Sequence, residues 1–145
     1  MLSCDTNILV AAVNSAAPDH VACHRFLTEQ LTNKEFVLSE FVLVETYNLV
    51  RNAAVMPKPL SSTEAVELVQ SFRSNRFWSL SKGTEDVAEQ VWRSAAVPDF
   101  PRRAIFDARI AYSLAAFGVK RFATRNTGDF VRFGVFEAFD PTLTD

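Results

Sequence analysis

The sequence is poor in the residues that cross-link, punctuate or span. Cysteine occurs twice in 145 residues, as Cys4 and Cys23, too few for the disulfide framework of a small secreted domain. Both are expected as small buried thiols in a reducing compartment. Four glycines and six prolines, with no recurring unit, exclude collagenous, solenoid and low-complexity chains. The longest apolar runs, 8–13 and 41–44, fall far short of the roughly 18 residues that a membrane-spanning helix needs. Met1-Leu2-Ser3-Cys4-Asp5 carries no cation ahead of its apolar stretch, so no secretory signal is legible and the cytoplasm is the expected address. Neither sign of charge dominates either, the net being −2.

What is there has the proportions of one globular domain over 1–145, with 48% apolar and 22% charged residues. A chain of this size can hide about 68–70% of its unfolded surface, enough for a core without a structural metal. The charges are uneven. Residues 1–72 hold 4 basic and 8 acidic side chains, and residues 73–145 hold 11 and 9. Within 102–132, seven cations (Arg102, Arg103, Arg109, Lys120, Arg121, Arg125 and Arg132) face only Asp107 and Asp129. Arginine predominates among them, and its planar fork suits phosphate oxygens; a solvated surface of ordinary ion pairs is the plainer reading.

Apolar patterning predicts strands over 2–5, 36–38, 77–80 and 122–124, and a last one within 135–139. Helices are predicted from residue 8, over 20–31 with Asp19 as cap, from Ser39 toward Arg51, and over 61–74, 84–96 and 104–117, with Gly118 as terminator. The stretch 126–128 reads as a turn. Strands alternating with helices imply an α/β fold with a mainly parallel sheet, whose sites lie beyond the C-terminal ends of the strands.

Four acids are placed to carry chemistry. Asp5 ends the first strand. Glu45 shares a helical face with Phe41, Val42 and Leu49, so its carboxylate is turned toward the sheet and needs a partner there. Asp107 lies in a helix whose Ala104, Ala108, Ala111 and Ala115 allow close approach, and Asp129 follows Asn126 beyond the strand ending at Thr124. Each also has a structural explanation: a cap, a satisfied core acid, a pair with Arg103, a closed turn. Gathered at one sheet edge they would repel one another unless a cation sat among them, and hard oxygen donors select Mg²⁺ or Mn²⁺.

Asp5-Thr6-Asn7-Ile8-Leu9-Val10, Val42-Leu43-Val44-Glu45, Ile105-Phe106-Asp107-Ala108-Arg109-Ile110-Ala111 and Thr124-Arg125-Asn126-Thr127-Gly128-Asp129-Phe130 resemble, in order, the four motifs of the PIN-domain nucleases. The nearest branch is the VapC-type toxin ribonucleases of toxin–antitoxin pairs. The resemblance implies a three-layer α/β/α fold with a five-stranded parallel sheet. It makes Asp5, Glu45, Asp107 and Asp129 the catalytic, metal-holding acids, with one or two Mg²⁺ or Mn²⁺ ions. Thr6, Asn7, Thr124 and Asn126 would support them, although the two threonines are equally ordinary turn hydroxyls. Where many relatives have an acid, this chain has Asn126, which leaves the fourth ligand open between Asn126 and Asp129. The implied reaction is hydrolysis of RNA by metal-activated water, leaving 5′-phosphate and 3′-hydroxyl ends, with Arg103, Arg109 and Arg125 on neighbouring phosphates. A homodimer and a cognate antitoxin are the implied partners.

Four other readings compete. A non-catalytic PIN-fold interaction module, or a PIN nuclease of RNA processing or of DNA, carries the same motifs. A receiver-like phosphoacceptor at Asp5 lacks a lysine after the strand of Phe122. A zinc site on His20, Cys23 and His24 lacks a fourth ligand.

Overall fold

The structure, a computed structural model, describes residues 1–143; the last two positions of the expected domain, 144 and 145, lie outside the described residues. The described elements run β1 (Leu2–Cys4), α1 (Thr6–Val13), α2 (His20–Glu29), β2 (Phe36–Ser39), α3 (Glu40–Val50), α4 (Ser62–Arg73), β3 (Ser79–Ser81), α5 (Glu85–Ala95), α6 (Ala104–Phe117), β4 (Arg121–Ala123), α7 (Thr127–Val131) and β5 (Glu137–Phe139). All five strands are parallel, in the order β3-β2-β1-β4-β5, as the α/β reading requires. Right-handed crossovers put α1 to α4 on one face and α5 to α7 on the other. Packing largely follows that division: α1 lies on α2 and α3, α3 on α4, α5 on α6 and α6 on α7, and α3 also meets α6.

The strand order fixes where a site can lie. From β1 the chain moves outward to β2 and β3, then returns to place β4 on the opposite side of β1. The crevice beyond the C-terminal ends of β1 and β4 is therefore the topological switch point of the sheet. Asp5 follows β1 directly, and Thr124 follows β4.

The central strands are short but sealed: Cys4, Phe36, Val37, Leu38, Phe122 and Ala123 are inaccessible to solvent. Phe122 stacks on Phe136 and packs at a tilt against Phe130, at centroid distances of 4.8 and 4.7 Å. The alanines Ala104, Ala108 and Ala111 are buried and bring α6 close in. Gly118, at φ 110°, ends that helix in a left-handed cap; its N–H donates to Ala115 O and that of Val119 to Leu114 O.

Several local expectations fail for identifiable reasons. Asp19 does not cap α2; its carboxylate is taken by Arg125 and by the Cys23 thiol. The helix ends at Glu29 and not Leu31, and Val21 and Leu31 are exposed. β3 begins at Ser79 because the Asn75 side chain accepts the Phe77 N–H and the Trp78 indole donates to Gln30 O, occupying the residues expected to start the strand. The turn expected over 126–128 continues into the five-residue α7.

Phe122→Ala removes the central ring of this aromatic cluster and should destabilise the chain by about 3–5 kcal/mol. Denaturant titration monitored by circular dichroism measures it, and a loss below about 1 kcal/mol would show that the cluster contributes little.

Candidate active site

Asp5 is where the backbone of the switch point becomes a side-chain constellation. It is 8% exposed and stands at the N-cap of α1, where Oδ1 accepts the Thr6 N–H at 2.8 Å. Its Oδ2 accepts the Thr124 O–H at 2.7 Å, which ties the end of β1 to the end of β4. A carboxylate has about four acceptor positions, so each oxygen keeps a lone pair after these bonds.

The threonines are connectors. Thr124 Oγ1, having donated to Asp5, accepts from Asn126 N at 3.0 Å and, at a long 3.4 Å, from Asn7 Nδ2. Asn7 Oδ1 in turn accepts the Arg125 N–H at 3.3 Å. Thr6 Oγ1 donates to Glu45 Oε2 at 2.9 Å, so the partner that a half-buried Glu45 needed is a hydroxyl from the first turn of α1. Asp107 is half-buried in the first turn of α6. Asp129 is exposed on α7, with Asn126 at its N-cap.

The four acids act on one another electrostatically. Burial above all pushes the Asp5 carboxyl up to about 6, against the pull of its bonds from Thr124 and Thr6, and the charges of Glu45 and Asp129 add to the rise. Burial likewise raises Asp107 to about 6, reinforced by Asp5, Asp129 and Glu45, with Arg132 working the other way. No ion pair between Asp107 and Arg103 forms among the described residues.

The arginines expected on phosphate take different positions. Arg103 lines a groove of about 520 Å³ with Glu45, Asn48, Leu49, Arg102 and Phe106. Arg109 lies over the Phe41 ring at 4.4 Å and the Phe106 ring at 5.6 Å, its Nε buried without a hydrogen-bond partner among the described residues. Arg125 is held by Asp19 and by Asp140, the latter at 3.2 Å. Asp140, which no sequence pattern singled out, thus takes up a cation adjacent to the acids. Phe106 was likewise not singled out; its place immediately before Asp107 in an amphipathic helix was the available signal.

Among the described residues no three His, Cys, Asp or Glu side chains converge into a ready cage for an ion, which includes His20, Cys23 and His24. His20 Nδ1 instead donates to Ala11 O at 2.8 Å. The acids at the switch point nevertheless fit a hard divalent cation. Mg²⁺ keeps several waters and takes one or two carboxylates directly, which suits acids that feel one another's charge without touching.

The PIN-domain model matches residues 3–135. The chain belongs to the PIN-domain family. Over all 145 residues it is 44% identical to Ribonuclease VapC24 of Mycobacterium tuberculosis, in strains CDC 1551 / Oshkosh and H37Rv, covering 99% of each. Among solved structures, VapC20 of Mycobacterium tuberculosis, described as a sarcin–ricin loop cleaving toxin, aligns with a TM-score of 0.71 at 20% identity, over 94% of this chain and 98% of that one. A toxin–antitoxin complex from Klebsiella pneumoniae aligns at 0.62 and 18% identity, over 97% and 98%. These last two share the PIN fold. No helix among the described residues is long and apolar enough to cross a membrane.

The raised carboxyls of this PIN domain have a consequence for stability. Asp5 and Asp107 hold protons up to about pH 6 when folded but ionise near 3.8 as free groups. Between those values the folded chain binds more protons than the unfolded one, so its stability falls as pH rises through that window. The melting temperature of the metal-free chain, measured relative to Asp5→Asn to cancel other groups, should drop from about pH 4 to about pH 7. A flat difference would show that Asp5 ionises where an exposed aspartate does.

Proposed function

We propose that this chain, acting as a single domain over 1–145, is a metal-dependent endoribonuclease and the toxin of a toxin–antitoxin pair. The observation that carries the reading is the set of mutually repelling acids, led by the buried Asp5, at the switch point of a PIN fold. Full-length similarity to a ribonuclease of the VapC group supports the RNA substrate, and the Klebsiella complex supports an antitoxin partner.

In this reading Asp5, Glu45, Asp107 and Asp129 hold one or two Mg²⁺ or Mn²⁺ ions. Asp129 takes the fourth position because its charge reaches both Asp5 and Asp107, with Asn126 assisting as an uncharged oxygen donor. A bound divalent ion supplies activation of water and neutralisation of the phosphate. The chain's own groups do the rest. Thr124 and Thr6 hold the Asp5 carboxylate in one orientation through its two oxygens, Thr6 fixes Glu45, and Asn7 and Asn126 keep the Thr124 hydroxyl aimed. Arg103 is left to attract phosphate, whereas Arg109 and Arg125 serve as braces. The products carry 5′-phosphate and 3′-hydroxyl ends.

The toxin works in the cytoplasm as a homodimer. Supporting the dimer is apolar surface on α5 and α3, where Trp92 is 66% exposed and Val44 65%.

Purified chain incubated with a pool of structured and single-stranded RNAs and Mg²⁺ or Mn²⁺ should give discrete cuts that EDTA abolishes. Loss of a supporting group around a metal typically costs 10–100-fold, so Asp107→Asn, which removes an acid of the set itself, should lose at least about 100-fold. Mn²⁺ at about 100 times its Kd should stabilise the wild type by about 2.7 kcal/mol and the mutant by much less. A chain that binds Mn²⁺ yet cuts DNA and no RNA would be a DNA nuclease. One that binds no metal would be an interaction module.

A further inference from the structure

The groove beside Glu45 has features that the acids do not require. It holds about 520 Å³, a size common for clefts that take small ligands. Asn48 and Leu49 line it from α3, Arg102 and Arg103 from the segment entering α6, and Phe106 from the first turn of α6, next to Asp107. The Phe106 ring is 53% exposed. It is braced from within by the Arg109 guanidinium, which also lies over Phe41. An aromatic side chain held out to solvent one residue from an acid of the set is not explained by packing.

We infer that this groove takes an unpaired nucleobase of the RNA, stacked on Phe106, with the flanking phosphates on Arg102 and Arg103 and the base edge offered to the Asn48 amide. The inference deepens the nuclease reading and rests on it. Single-stranded RNA is recognised by this combination: an aromatic platform for a base, arginines for the backbone and an amide for the base edge. Among the described residues Arg102 and Arg103 enter no ion pair, so their charge is available to phosphate. The same two charges disfavour a basic protein segment. Glu45 belongs both to this groove and to the acidic set, so a base seated here leaves an adjoining phosphodiester at the acids. The groove is therefore a specificity subsite, and Asn48 is its base-reading group.

Two measurements on the full chain test this. In the first, short single-stranded oligoribonucleotides carrying a fluorescent purine analogue at successive positions are mixed with protein in EDTA, so that binding is read without cleavage. The analogue should be quenched at one position by the wild type and by Phe106→Tyr, but not by Phe106→Ala. In the second, steady-state cleavage of a substrate that the wild type cuts in Mg²⁺ should show KM raised about 10-fold by Phe106→Ala and kcat little changed. Phe106→Tyr should retain the wild-type KM, and Asn48→Ala should shift the preferred base beside the cut. Phe106 is exposed, so the variants should melt with the wild type.

If the wild type cuts RNA while Phe106→Ala leaves both quenching and KM unchanged, the subsite is overturned and the nuclease reading stands. If Phe106→Ala instead weakens only the complex with the antitoxin, the groove is a protein dock and the inference fails. If the wild type neither cuts nor binds RNA, the functional reading fails and the subsite with it.

Discussion

The structure is organised around negative charge that it does not neutralise. Asp5 is buried at the point where the order of the strands reverses, and the charges of Glu45, Asp107 and Asp129 reach the same space. Hydrogen bonds from Thr6 and Thr124 satisfy part of the Asp5 carboxylate without cancelling its charge. An ion pair would have lowered the energy of the isolated domain. The fold instead supplies donors that fix direction, and leaves the repulsion among the acids in place.

The treatment of nearby arginines follows from the same constraint. Arg125 sits one residue from Thr124, close enough in sequence to quench the acids, yet Asp19 and Asp140 hold it. That clamp joins the start of α2, the loop after β4 and the chain beyond β5, so it stiffens the segment from which Thr124 reaches Asp5. Arg109, two residues past Asp107, is held over two aromatic rings. Two cations that the family resemblance assigns to phosphate are thereby held as braces, and Arg102 and Arg103, which enter no ion pair among the described residues, lie to one side of the acids. Negative centre and positive flank are separated, as a phosphodiester between an ion and a backbone clamp would need.

The strand–helix alternation was legible because apolar runs of 3–4 residues between amphipathic helices have few other solutions. The acid at the end of β1 followed from the same pattern. What composition and spacing do not reveal is where long polar side chains go. Asp19 looked like a helix cap because its position before α2 is right for one; Arg125, 106 residues away, claims it. The late start of β3 depends on an Asn75 turn and a Trp78 bond to Gln30, both long-range or local side-chain events invisible to periodicity. Nothing in the sequence separates Phe106, which faces out, from the buried members of the thirteen phenylalanines.

The acids differ in how firmly the scaffold holds them, and the difference follows from the elements that carry them. Asp5 is locked between two strand ends by two hydrogen bonds, and Glu45 is tied by one. Asp107 is half-buried on a fourteen-residue helix with a fixed close packing face. Asp129 is exposed on a helix of five residues, too short to be stable on its own; it is anchored by the burial of Phe130 beside it. The set of acids thus has one member that the scaffold fixes and one that it holds loosely. Movement of the exposed carboxylate on its short helix leaves the buried one, bonded to Thr6 and Thr124, where it is.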